Sequence, residues 1–181
     1  MRNAVILAAL FLAFPANAQR GLPEAFKTGP LITDYGPVAV LEGVEAVPDG
    51  TVFRVSYDLT EGAQPGALNR QLVTAARFLN MHAAVGVAPE NMHLALVLHS
   101  LSVFDVTRAE TYAAKKDGAD NPNAALLETL LKHGVEVIVC GQSAASRGLT
   151  KADLLPGVRL AVSAMTAHAL LQQEGYTLNP F

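Results

Sequence analysis

One residue in this sequence stands out for its chemistry. Cys140 is the single cysteine of the chain. It closes the run Val135-Glu136-Val137-Ile138-Val139-Cys140, which reads as a strand, and Gly141-Gln142-Ser143 then turns into a short helix. A thiol at that junction faces backbone N–H groups and the positive end of the helix, which stabilise the thiolate over the thiol and lower the pKa. Gly141 is expected to allow the tight turn, and Ser143 to cap the helix. Arg147, one turn on, is expected to add positive charge. With Gln142 these residues form the expected binding loop. His99 ends a second apolar run, His93–Leu98, so it points to the same rim if the two strands are parallel neighbours. There it would orient acid–base exchange or hydrogen-bond a sulfur species. The plainer readings are a packed, inert thiol and a strand-end histidine bonded to a loop.

Other chemistries fail on spacing. A phosphatase-type loop needs Cys-x5-Arg, but six residues separate Cys140 from Arg147. Gly141-Gln142-Ser143-Ala144-Ala145 resembles the serine nucleophile elbow, with Ala145 in place of the last glycine. Asp153 and His168 follow Ser143 too closely to complete that triad. There is no Walker loop, no G-x-G-x-x-G and no Cys-x-x-Cys, so neither a nucleotide cofactor nor dithiol exchange within one chain is expected. No His-x3-His or similar pair suggests a metal site. His82 and His133 sit on helices, and His168 in the final helix reads as structural.

The elements that must hold these residues can be read from periodicity. Phe53, Val55 and Tyr57 alternate with Arg54, Ser56 and Asp58, giving a strand with one wetter face. Leu68, Leu72, Ala76, Leu79 and Ala83 form a helical stripe that ends before Gly86 and Pro89. After the strand at 93–98 comes a long connection, 100–123, with a helical stretch near 109–116. A helix follows at 124–133, then the Cys140 strand, a strand at 158–162, a helix at 164–173 and a short strand at 176–178. Alternating strands and helices with continuous apolar strands predict a three-layer α/β sandwich around a mainly parallel sheet.

Composition agrees with one compact domain. The chain has 181 residues, 51% hydrophobic and 16% charged, with a net charge of −3. This excludes intrinsic disorder and offers no electrostatic basis for binding nucleic acid. Residues 1–18 read as a secretory signal: Arg2, an apolar run from Ala4 to Phe14, then Ala16-Asn17-Ala18 with cleavage after Ala18. Residues 19–50 are punctuated by Pro and Gly and read as an extended leader, and 51–181 as the domain. The expected mature protein is periplasmic or secreted, with no membrane contact after cleavage. A lone cysteine in an exported protein points to a reactive thiol or an intermolecular bridge.

Taken together, Gly134-Val135-Glu136-Val137-Ile138-Val139-Cys140-Gly141-Gln142-Ser143, Leu154-Leu155-Pro156-Gly157-Val158 and Gln172-Gln173-Glu174-Gly175-Tyr176 resemble the DsrE/DsrF-like family. Val97-Leu98-His99-Ser100 resembles its second-strand motif, in which Gly often stands where this chain has Ser100. Tyr35-Gly36-Pro37 leading to 53–58 looks like the leader of exported members. The resemblance covers most of residues 35–178. It implies a flavodoxin-like fold with a roughly five-stranded sheet, assembled as a homo-oligomer, commonly a trimer or hexamer. It also implies a sulfur relay in which a cysteine mapping onto Cys140 carries a persulfide. Relay members are typically cytoplasmic, so the expected export sets this chain apart.

Two functions are therefore expected as alternatives. In one, Cys140 accepts sulfur from a small sulfur species and passes it to a partner thiol protein, as a sulfur carrier or sulfurtransferase. In the other, the same fold is a non-catalytic, oligomeric module for ligand binding or assembly, with Cys140 merely packed.

Overall fold

The computed structural model describes residues 23–179, so the expected signal sequence and its cleavage point lie outside the described residues. A two-residue antiparallel pair, β1 (Phe26–Lys27) and β2 (Val38–Ala39), precedes the main sheet. The chain then runs β3 (Phe53–Leu59), α1 (Arg70–Ala84), β4 (Met92–Leu98), α2 (Ala109–Lys115) and α3 (Asn123–Lys132). It continues as β5 (Glu136–Cys140), α4 (Gly141–Ser146), β6 (Arg159–Ala161), α5 (Ala164–Gln173) and β7 (Thr177–Asn179). Five strands form one sheet in the order β6-β5-β4-β3-β7, and every pairing is parallel. The three-layer α/β sandwich is thus observed.

The faces of the sheet differ. Leu94, Leu96 and Leu98 of β4, Val137 and Val139 of β5, and Val55, Tyr57 and Leu59 of β3 pack with α1 and α3 in the larger core. On the opposite face Ala95, Val97 and Ile138 meet Ala167 and Leu171 of α5 in a smaller core. Strand alternation sends Ser56 and Asp58 to that second face. The wetter side of β3 is therefore partly covered by α5: Ser56 is fully buried and Asp58 half-buried, whereas Arg54 stays exposed. α5 makes the crossover that matters for the site: it carries the chain from β6, at one edge, to β7 at the other.

One side chain of α1 supplies a cluster of hydrogen bonds that pins the leader, beside the packing of Ile32 in the larger core. Buried Asn80 accepts hydrogen bonds from the Leu31 and Ile32 amides and donates to the carbonyls of Ile32, Tyr35 and Gly36. Gly36 has φ 68°, and a Cβ there would lie 2.5 Å from the backbone of Ala76, so the leader touches the helix backbone directly. The 100–123 connection is equally fixed. Thr107 bridges Leu154, and Val103, Val106 and Tyr112 are fully buried.

Candidate functional site

The parallel register decides what meets at the rim. Leu98 pairs with Val139, so His99 and Cys140 stand side by side one residue beyond the last β4–β5 pair. Cys140 in turn pairs with Ala161 of β6. By alternation Cys140 shares the α5 side of the sheet with Ile138, and His99 shares it with Val97.

Cys140 is itself the N-cap of α4, with φ −65° and ψ 116°. The expectation that Ser143 caps this helix is corrected: Ser143 lies inside the first turn, because the helix starts directly at Gly141. An N-cap side chain faces the amides two and three residues on, here those of Gln142 and Ser143. The thiol makes no regular capping hydrogen bond, but it lies within the field of these groups. Burial pushes the Cys140 thiol up. The Ser143 amide and hydroxyl, the Ala164 amide and the Gln142 amide together outweigh it, and the pKa falls below the ordinary thiol value. Ala164 opens α5, so the sulfur is faced by the N-termini of two helices, one following it in sequence and one delivered by the fold. The residue is only 6% exposed, which restricts access to small reagents or an inserted group.

The other expected residues are placed as follows. Gly141 does not have positive φ. It is needed because a Cβ would lie 2.5 Å from the Ala161 carbonyl oxygen and 3.2 Å from that of Val162. Gln142 is exposed, and its Nε2 donates to the Val162 carbonyl at 3.4 Å. Ser143 Oγ accepts from the Ser100 amide at 3.1 Å. Arg147 is not brought to the thiol. It is the C-cap at the far end of α4, about 9 Å along the axis for six residues, and its guanidinium lies over the Phe104 ring.

Sequence reasoning missed Asp58 and His168. His99 Nε2 lies 3.0 Å from Asp58 Oδ1, and His168 Nε2 donates to the same oxygen at 2.9 Å. Burial pushes the Asp58 carboxyl up, but the hydrogen bonds from His168 and His99 and the electrostatic attraction of the two rings pull it further down. Asp58 is therefore an ionised acceptor at neutral pH, and each ring presents a donating Nε2–H. The alternating pattern of β3 had already placed Asp58 at the C-terminal end of its wetter face. That was the available signal. Among the described residues no group of three His, Cys, Asp or Glu side chains is arranged to hold a metal ion.

Comparison with known proteins decides the lineage. The model of the DsrE/DsrF-like family matches residues 52–180. The chain belongs to the DsrE/DsrF-like family. No curated protein matches it. Among solved structures it is similar to a protein of unknown function, MTH1491 from Methanobacterium thermoautotrophicum, at 19% identity and a TM-score of 0.53. That match covers 71% of this chain and 99% of the other. It extends the fold, and only the fold, to this DsrE/DsrF-like chain.

Proposed function

We propose that this protein is an exported sulfur carrier or sulfurtransferase that holds sulfur as a persulfide on Cys140, with His99 as the neighbouring acid–base group. The observation that carries this reading is the convergence of the Gln142, Ser143 and Ala164 amides on one sulfur in a chain of this family. Those amides favour the thiolate, which is the nucleophile. With a thiosulfate-type donor, the thiolate attacks the sulfane sulfur and a new S–S bond forms. The old bond breaks, and its electron pair leaves with sulfite. Cys140 then bears the persulfide anion, and charge is conserved. In the second half a partner thiolate attacks the outer sulfur and Cys140 departs as thiolate, a better leaving group for its lowered pKa. Neither half needs an external oxidant. Export through residues 1–18 and assembly into trimers or hexamers belong to the same reading. The exposed apolar side chains of Leu160, Val162 and Met165 along β6 and the start of α5 support assembly.

The test is intact mass after incubation with thiosulfate or polysulfide. The wild type gains the mass of one sulfur atom and Cys140→Ser gains none. No gain on the wild type, or an equal gain on the variant, overturns the reading. The low exposure of Cys140 favours the alternative of a non-catalytic oligomeric binding module. Alkylation separates the two: an inert thiol reacts slowly at neutral pH and titrates at or above about 8.5.

A further inference from the structure

The amides of Gln142 and Ser143 stay near the sulfur because they follow it in the chain. The Ala164 amide does not: tertiary structure has to bring it there. Three ties hold the start of α5. β6 pairs with β5 through Cys140 and Ala161. Ser163 caps the helix, its Oγ accepting from the Thr166 amide at 3.0 Å. One turn past Ala164, on the side facing the sheet, His168 bonds Asp58 at 2.9 Å. The first two ties act at the edge of the sheet. The third is anchored on β3, two strands in from Cys140, and it adds a directional polar tie to the packing of Ala164 and Ala167 on the smaller core.

We propose that Asp58 is a positioning residue for Cys140: through His168 it braces α5 so that the N-terminus of this helix stays over the sulfur. The inference rests on the reading of Cys140 as a working thiolate. The titratable groups on this rim are Asp58 on β3, His99 at the end of β4 and His168 on α5, whereas Arg147 lies at the far end of α4. A carboxylate acting only through its charge destabilises a nearby thiolate, so deleting it lowers the thiol pKa. A carboxylate acting as a brace has the opposite effect, because its deletion loosens a helix terminus that stabilises the thiolate. The sign of the change separates the two roles.

The experiment is the pH profile of Cys140 alkylation by iodoacetamide, with thermal melting to confirm folding. Asp58→Ala and His168→Ala sever the brace and raise the thiol pKa by roughly half a unit to one unit, slowing alkylation at pH 7 about three- to tenfold. Asp58→Asn keeps an acceptor and His168→Gln keeps a donor, and neither raises the pKa. An unchanged or lowered pKa in His168→Ala and Asp58→Ala overturns the proposal. Where Asp58→Ala does not fold, the contrast between His168→Ala and His168→Gln decides. Sulfur loading is read separately by mass. Loading with an unmoved profile removes the brace and spares the carrier, whereas a shifted profile without loading does the reverse.

Discussion

The backbone amide of Ser100 donates to Ser143 Oγ at 3.1 Å, joining the end of β4 to the first turn of α4. To present that amide, Ser100 adopts φ 57°, in the left-handed region. Glycine enters this region freely, while a residue with a Cβ is strained there by roughly 1–2 kcal/mol. A glycine at this position would make the same turn without that strain. The serine here keeps the turn at a cost.

Ser100→Gly relieves the strain and leaves the amide in place. Part of the gain is lost to the greater freedom of glycine in the unfolded chain. The variant is expected to be about 0.5–1 kcal/mol more stable than the wild type in urea denaturation. A loss of stability would mean that the serine side chain contributes more than its backbone does.

Gly141→Ala moves stability the other way. The added Cβ would meet the Ala161 carbonyl at 2.5 Å, and backbone on backbone cannot yield without parting β6 from β5. A cost of about 1–3 kcal/mol is expected, read from urea midpoints. A variant as stable as the wild type would show that β6 can move freely at the rim.

Asp105 gives a pH signature. It is fully buried, with Oδ2 accepting from the Ala63 amide and from Asn69 Nδ2, and Oδ1 has no partner. Burial raises its pKa, against the opposing Asn69 and Ala63 bonds and the Lys116 charge. A raised folded pKa means that the native state binds the proton more tightly. The contribution is full below the unfolded value near 4 and is lost as pH rises through the folded value. Asp105→Asn keeps both acceptor bonds and carries no charge. It is expected to flatten the decline of stability above about pH 4 and to equal or exceed the wild type at neutral pH. Urea midpoints across that range check this, and an unchanged slope refutes it.

Asn80→Ala leaves the amides and carbonyls of the segment from Leu31 to Gly36 without their partner. The expected loss is roughly 2–4 kcal/mol, together with faster tryptic cleavage at Lys27. Unchanged proteolysis would show that the leader is held by packing alone.

Much of this architecture was legible before any coordinates. Buried parallel strands are continuous apolar runs, and β4 and β5 read that way almost to the residue. Cys140 and His99 were paired by the same logic, since both end such runs. What escaped was long-range. Asp58 meets His168 across 110 positions, and that meeting depends on α5 crossing from one edge of the sheet to the other, which no local pattern encodes. Asn80 sits within an apolar helical stripe, where nothing marks it as a clamp for a distant loop. Arg147 failed for a simpler reason: a helix extends away from its own start, so a residue near its end cannot reach back to its cap.

Because the Ala164 amide reaches the sulfur only once the C-terminal helix has docked, an unfolded chain holds Cys140 without that amide's support for the thiolate. Folding thus lowers the thiol pKa while leaving the residue only 6% exposed, so the native state trades open access for a stabilised thiolate.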